Sequence, residues 1–177
     1  MRLAALLSRG SDVAAQAAAI TAASSKYNLG AERTINMPTV PLEILHPRHH
    51  ARFTYRRAGG DVVRGVDAAK VDFRETGSPT VIRRPGGGDV PSTGSAWIDP
   101  KNGRLVRALV IWPNDPGAGP TVHDSRVMVD FTMDRRLKTM VPVEMREVFY
   151  AEGGRGEAQA SYKNFKRFET GARLVPQ

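Results

Sequence analysis

The chain has 177 residues, of which 41% are hydrophobic and 25% are charged, as in an ordinary globular domain and unlike a disordered segment. It contains no cysteine, which excludes a disulfide framework and thiolate metal sites. Its 26 Lys and Arg against 18 Asp and Glu give a net charge of +8, but the basic residues occur as short pairs among acidic neighbours, which disfavours nucleic acid as a partner.

The beginning of the chain is predicted to be helical. Ser11–Tyr27 is rich in alanine and free of Gly and Pro, and Asn28–Gly30 is placed to end a helix. A second, short helix is predicted over Thr39–Leu45, because Pro41 is tolerated in a first turn and His46-Pro47 stops the helix. These helices can cover a surface but are too poor in large apolar side chains to form a core alone.

From Arg52 onward, alternating segments separated by turn residues predict strands. Ala58–Asp61 and Pro85–Asp89 are predicted turns. Pro142 requires the start of a strand or a sheet edge, and Phe165 breaks the alternation of the last strand, which indicates a bulge. The predicted strands are Arg52–Arg57, Lys70–Glu75, Pro79–Arg84, Gly94–Ile98, Leu105–Trp112, Val127–Asp134, Val141–Tyr150 and Glu157–Phe168, with Val62–Val66 as a further local pairing.

The clearest hairpin is Thr93–Trp112. Its turn, Asp99–Gly103, combines a proline with an Asn and a Gly, the residues that best tolerate positive φ. Its second arm is apolar on both faces, so neighbouring structure must cover both of them.

Strands in unbroken succession after a helical start predict an α+β fold, namely an antiparallel β-meander of about seven to nine strands with one or two N-terminal helices over one face. We expect residues 1–48 to form the helical cover, residues 49–170 to form the sheet and residues 171–177 to be a tail. One domain is predicted overall.

The chain also resembles, from about Tyr27 to Phe168, the C-terminal portion of an uncharacterised exported bacterial family. The resemblance is carried by Tyr27–Gly30, Arg33–Pro38, Leu45–Pro47, Pro79–Arg83, Trp97–Pro100, Val141–Glu147 and Ala160–Phe168. It implies the architecture of the outer-membrane lipoprotein carriers and of the periplasmic regulator of the envelope-stress sigma factor. In that architecture a strongly curved antiparallel sheet forms a half-barrel, and helices fill its hollow.

The resemblance further implies a periplasmic or otherwise extracytoplasmic location. The chain itself begins with a short apolar run that Arg9 interrupts, which is not a convincing signal peptide, and no run approaches the ~20 apolar residues of a membrane span. Since the relatives continue upstream, we expect this chain to be a fragment of a longer protein.

Three features invite a specific site. His46, His49 and His50 are close in sequence, but their spacing and the lack of a carboxylate pair favour a solvated loop over a metal site. The segment Arg83–Asp89 resembles an anion-binding loop, but it lacks the remainder of a P-loop and is interpreted as a hairpin tip. Ser92, Ser95, Ser125 and Ser161 lack a nucleophile elbow, and His123-Asp124 alone is not a triad.

Carboxylates offer no better catalytic candidate. Glu144 or Glu147 together with Asp130 could be considered an acid/base pair. The two glutamates, however, are predicted to point to opposite faces of a strand, and Glu144 shares its face with Arg146. Salt bridges between strands on the wet face explain both glutamates. We therefore predict a non-enzymatic protein with no cofactor and no metal.

The remaining candidate is an apolar face. If the sheet is curved, this face would lie on its concave side and bind a hydrophobic, acyl-type ligand of a lipid or lipoprotein, or an envelope partner. Alternatively, the same residues form an ordinary hydrophobic core that the helices close. A second function class is a basic binding module for nucleic acid or anionic lipid headgroups, and a third is an enzyme whose catalytic residues lie upstream. The predicted ligand-binding residues are Trp97, Leu109, Ile111, Val129, Phe131, Met133, Val143, Met145 and Tyr162.

Overall fold

The computed structural model describes residues 38–83, 88–113, 124–151 and 154–166, all of them in the unit Met37–Gln177. The predicted helix over Ser11–Tyr27 and the tail at residues 171–177 lie outside the described residues. The predicted single-domain organisation stays a prediction.

The described residues form nine strands, and the main sheet is an antiparallel meander, as predicted. They are β1 (Phe53–Val63), β2 (Val66–Glu75), β3 (Ile82–Arg83), β4 (Asp89–Val90), β5 (Thr93–Asp99), β6 (Arg104–Trp112), β7 (Ser125–Asp134), β8 (Thr139–Ala151) and β9 (Gly154–Ser161). Seven of them make one open sheet in the order β1-β2-β5-β6-β7-β8-β9, and β3 pairs with β4 in a separate ribbon. Each strand of the main sheet therefore pairs with the main-sheet strand that follows it in the chain, although the β3–β4 ribbon lies in the connection from β2 to β5.

The first hairpin differs from the sequence expectation. Strand β1 continues through the predicted turn at Ala58–Asp61 by means of a bulge between Arg57 and Gly60. The chain reverses instead at Arg64 and Gly65, whose φ angles of 50° and 80° suit a tight two-residue turn. The local pairing predicted for Val62–Val66 is confirmed, since Val63 lies opposite Val66.

Of the segment predicted as a strand over Pro79–Arg84, the described residues 79–83 pair only at Ile82 and Arg83. The reason is the buried carboxylate of Glu75, which accepts hydrogen bonds from the backbone N–H groups of Val81 (2.6 Å) and Ser92 (2.9 Å). Backbone groups bonded to a side chain are not available for a strand ladder. Residues 84–87, which include most of the predicted turn Pro85–Asp89, lie outside the described residues.

The central hairpin is confirmed. Its turn closes through the Gly103 N–H, which donates to the Asp99 carbonyl oxygen at 2.8 Å, with Gly103 at a φ of 71°. In β6 the side chains of Val110 and Trp112 are buried on one face, and those of Leu109 and Ile111 on the other face are half-buried. Both faces of this strand are therefore covered, as its two-sided apolar pattern predicts.

The end of the sheet departs from prediction at one point. Pro142 lies in β8 before the stretch that pairs with β9, so β8 is an edge strand at this residue, as the missing N–H of proline requires. Strand β9 ends at Ser161, and the predicted bulge at Phe165 is wrong because the chain has left the sheet there. A last backbone bond joins the Tyr162 N–H to the Val143 carbonyl oxygen at 3.0 Å, and Asn164 then adopts a φ of 62°.

The two faces of the sheet differ in chemistry. Directly paired residues share a face, so Trp97, Arg107, Asp130 and Glu144 lie in one row across β5 to β8, on what we term the Trp97 face. The opposite face, termed the Val110 face, holds most of the core. Its buried residues are Ala96, Ala108, Val110, Val127, Val129 and Met145.

The predicted second helix is present as α1 (Val40–Ile44), followed by a 3₁₀ helix over Pro47–Arg52. Helix α1 contacts β6, and its Ile44 side chain is fully buried. No helix among the described residues combines the length and the apolar character needed to cross a bilayer.

Candidate functional site

Three hairpin tips lie at the same end of the main sheet. They are Arg64-Gly65 between β1 and β2, Pro100–Gly103 between β5 and β6, and Arg135–Lys138 between β7 and β8. Alternate connections of an antiparallel meander always fall at one end of its sheet. Tip residues that are far apart in sequence are thereby brought into one neighbourhood.

A cavity of about 550 Å³, termed here the tip cavity, lies among these three hairpins. Its apolar lining consists of Val63, Val66, Val106, Phe131, Met133 and Met140. Its polar lining consists of Arg64, Asp99, Asn102, Arg104 and Thr132. All the apolar lining residues are buried or half-buried, and four of the five polar ones are exposed, so the cavity has an apolar floor and a polar rim.

The sheet bends around this cavity. Arg64, in the turn that precedes β2, lies 3.9 Å from Glu144 of β8, measured from Nη1 to Oε2. Strand β8 is four positions from β2 in the sheet, which would separate the two strands by about 19 Å if the sheet were flat. Because one arginine side chain cannot span that distance, the first hairpin leans over the Trp97 face.

An apolar cluster supports the cavity floor. Val63, Ala68, Trp97 and Val106 are buried together, and Val66 and Leu109 pack against them. Two cations flank the indole ring, with Lys70 Nζ 5.3 Å and Arg107 Cζ 5.9 Å from its centroid. Such cation–π contacts stabilise an aromatic ring and a partly desolvated charge together.

Arg107 also forms a bidentate ion pair on this face. Its Nε and Nη2 donate to the two carboxylate oxygens of Asp130 at 2.5 and 2.8 Å, and Asp130 is 6% exposed. Hydrogen bonding to Asp130, with the negative charges of Asp61 and Glu144 nearby, raises the pKa of Arg107 above its ordinary value although burial opposes this.

The nine predicted ligand-binding residues do not share one face. Phe131 and Met133 line the tip cavity, and Trp97 and Leu109 belong to the cluster below it. Ile111 also lies on the Trp97 face but lines a separate groove of about 440 Å³ near the other end of β6.

The other four belong elsewhere. Val129 and Met145 lie opposite each other on the Val110 face, and the Tyr162 hydroxyl lies 3.7 Å from the Met145 sulfur. Val143 stands at the β7–β8 register shift and accepts the Tyr162 backbone bond. The expectation of one concave stripe fails because Leu109 pairs with Met128, whereas Val129 pairs with Ala108.

Sequence reasoning missed most of the cavity. Val63, Val66 and Met140 lie at hairpin ends. Arg64 lies in a turn and Arg104 at the start of β6, where each reads as an ordinary solvated charge. The available signal was the tight Val-Val-Arg-Gly-Val segment, which identifies an apolar tip, but only the bend brings that tip beside Phe131.

The histidines have structural roles. His49 Nε2 lies 3.0 Å from a Glu43 carboxylate oxygen that Arg48 also contacts, and His50 Nε2 lies 3.1 Å from the Leu45 carbonyl oxygen. No group of three potential metal ligands occurs among the residues that the structure describes. The Arg48 and His49 contacts lower the pKa of Glu43, as expected for an exposed carboxylate beside cations.

The two glutamates of β8 point to opposite faces, as predicted. Glu144 lies on the Trp97 face, directly opposite Asp130 in the β7–β8 ladder. It forms an ion pair with Arg146, whose Nη2 lies 2.6 Å from Glu144 Oε1. Glu147 pairs with Val127 on the Val110 face and is 5% exposed. The expectation that Glu147 lies on a wet face is therefore wrong.

The tip cavity is the best-defined candidate site in the described part of the chain. No family model, curated protein or solved structure matches this chain. The function of the cavity therefore has to be inferred from its shape, lining and charge.

Proposed function

We propose that this protein is a non-enzymatic binding domain that holds an apolar ligand of the acyl-chain type in the tip cavity. The observation that carries the proposal is the cavity itself, whose volume of about 550 Å³ falls within the ~300–1,000 Å³ of ordinary ligand sites. Its floor includes Met133 and Met140, which face each other across β7 and β8. Methionine adapts its shape to a flexible apolar guest.

The proposal includes a half-barrel form for the sheet, with the N-terminal helices over one of its faces. The Arg64–Glu144 contact supports strong curvature, and the open order of the sheet supports an unclosed barrel. The burial of Ile44 where α1 contacts β6 supports a helical cover. An extracytoplasmic location and a lipid, lipoprotein or envelope partner follow from the resemblance to lipoprotein carriers and belong to the same proposal.

Binding is favoured over catalysis because Asp99, the carboxylate of the cavity lining, and Asn102 already serve the turn. The Asp99 carboxylate accepts hydrogen bonds from the Lys101 N–H at 2.9 Å and from the Asn102 Nδ2 at 2.6 Å. The Asn102 side-chain oxygen accepts from the Arg104 N–H at 3.0 Å. A carboxylate held in this way stabilises the hairpin and is poorly placed to move a proton.

Binding is tested by native mass spectrometry after mild extraction and by the fluorescence of a lipophilic dye. We expect a bound apolar molecule or dye enhancement, and we expect Met140→Glu to weaken dye binding at least about tenfold, a loss of about 1.4 kcal/mol. The control is Val62→Glu, at an exposed position of the same sheet end. A protein that emerges bare and does not enhance the dye, or equal effects of the two folded variants, would overturn the proposal.

The net charge of +8 favours a second candidate, a basic module for nucleic acid or anionic lipid headgroups. Such binding collapses between low and moderate salt, because phosphate neutralisation releases counterions. Binding in an apolar cavity hardly responds to salt. A salt series with an oligonucleotide, anionic vesicles and the dye therefore separates the two functions.

A further inference from the structure

The rim of the tip cavity carries two arginines that the fold neutralises poorly. Arg64 and Arg104 both line the cavity, and Asp99 is the one carboxylate in its lining. Both Asp99 oxygens accept hydrogen bonds from the turn, from the Lys101 N–H and from the Asn102 amide. Asp99 lies directly opposite Arg104 in the β5–β6 ladder, but its carboxylate holds the turn and forms no ion pair with Arg104 or Arg64.

Arg104 has the freer charge of the two. Its backbone N–H is bonded to Asn102, but its guanidinium makes no ion pair or hydrogen bond with any described residue. The side chain is exposed beside an apolar floor that includes the buried Val106, its neighbour on the same strand. An arginine at such a boundary can extend its stem over apolar surface and keep its charged end at the rim.

Arg64 is only weakly engaged. Its contact with Glu144 Oε2 is 3.9 Å long, and its side chain is 49% exposed. The other Glu144 oxygen is bonded to Arg146 at 2.6 Å and to Gln159 at 3.0 Å. Glu144 therefore serves Arg146 first, and the Arg64 charge is available to a second anion.

We propose that the tip cavity takes an anionic amphiphile, with the alkyl chain on the apolar floor and the anionic head at Arg104, assisted by Arg64. This inference rests on the proposed function and deepens it by naming the ligand class. A guanidinium pairs with a carboxylate or a phosphate through two parallel hydrogen bonds, and the pair is stronger beside a dry apolar surface than in open water. Arg104 is then the residue that selects the charge of the ligand.

The test compares probes that differ only in the head group, by titration calorimetry with the full chain below the micellar concentration of each probe. The probes are dodecanoate, dodecyl phosphate, dodecan-1-ol, dodecyltrimethylammonium and inorganic phosphate. We expect both alkyl anions to bind at least about tenfold more tightly than the alcohol, with the cation weakest and inorganic phosphate weaker than either alkyl anion. The ratio of dodecanoate to dodecyl phosphate then distinguishes a fatty-acid head from a phospholipid-like head.

The matched variants are Arg104→Gln and Arg155→Gln. Arg155 is an exposed arginine of β9 outside the cavity lining. We expect Arg104→Gln to weaken the binding of the alkyl anions about tenfold and the binding of dodecan-1-ol by less than about threefold. We expect Arg155→Gln to change neither affinity.

The outcomes separate the two proposals. If no alkyl probe binds, the proposed function is overturned together with the inference. If the alcohol binds as well as the anions, or if Arg104→Gln weakens both equally, the ligand-class inference alone is overturned. Inorganic phosphate binding as tightly as dodecyl phosphate would also overturn it, because the alkyl chain would then contribute nothing.

Discussion

At the scale of single residues, the Arg107–Asp130 pair has the largest expected effect on stability. Its two charges are largely removed from water, with side-chain exposures of 23% and 8%. The net contribution of such a pair is small, because desolvation offsets the attraction between the charges. Loss of one partner is costly, since the remaining charge stays buried without compensation.

We expect Asp130→Asn to lower the free energy of unfolding by about 3 kcal/mol, because Arg107 keeps its charge beneath the first hairpin. The control is Glu157→Gln, which removes the exposed Arg155–Glu157 pair of β9 and is expected to cost less than about 1 kcal/mol. Urea unfolding followed by circular dichroism measures both. Equal losses in the two variants would show that Arg107 is not desolvated.

The sequence predicts part of this pair. Alternation along β7 places Asp130 on the face opposite Val129, as observed. Its partner and its burial follow from the β6–β7 register, which sets Arg107 directly across from it. A single strand pattern contains no information on that register.

At the scale of elements, the connection from β2 to β5 is held by carboxylates. Asp89 accepts hydrogen bonds from the Ser78 hydroxyl at 2.6 Å, from the Thr80 N–H at 3.0 Å and from the Thr80 hydroxyl at 3.2 Å. These bonds, led by that of Ser78, lower the pKa of Asp89 below its ordinary value. The end of the predicted anion-binding loop is thus a structural anchor.

This linkage predicts a specific acid response. The pKa of Asp89 is lower in the folded state than in the unfolded state, where it is about 4. The contribution of Asp89 to the free energy of unfolding is therefore fully present above the unfolded pKa and is lost as the pH falls through the folded pKa. We expect Asp89→Asn to be less stable than the wild type at neutral pH and to lose stability less steeply in acid. Urea unfolding at a series of pH values measures both slopes, and parallel acid profiles would contradict this role.

Element types were predictable to a large extent, and element ends less so. Period-two alternation identified the strands of the second half of the chain, including Val127–Asp134. The first turn was misplaced because Gly59 and Gly60 read as a turn signal, whereas they serve a bulge. Glycine suits both structures, and the choice between them depends on the partner strand.

At the scale of the whole described sheet, curvature creates the candidate site. Residues of β1 and β2 approach residues of β8 only because the sheet bends toward its Trp97 face. A right-handed twist accumulates across the strands of an antiparallel sheet, and β-bulges increase that twist locally. Register shifts occur in β1–β2, β5–β6 and β7–β8, the three hairpins whose tips surround the cavity.

The bend is open to a direct test, because the chain has no cysteine of its own. We expect the double variant Arg64→Cys/Glu144→Cys to be joined within one chain by a short bis-maleimide, since the two side chains lie within ion-pair distance. Arg64→Cys/Arg155→Cys is the control, because Arg155 lies on β9 at the opposite end of the sheet. Mass spectrometry identifies the product, and equal crosslinking of both pairs would contradict the bend.

The sequence by itself determined the strand-rich meander, the central hairpin and the absence of thiol chemistry, because these depend on alternation, turn residues and composition within short stretches. Only the tertiary structure decided which face each residue occupies and which tips meet. Phe131 was recognised as apolar from its strand, but its neighbours Val63 and Arg104 come from hairpins far away in the sequence. Register and bend are properties of strands acting together, and a local pattern does not contain them.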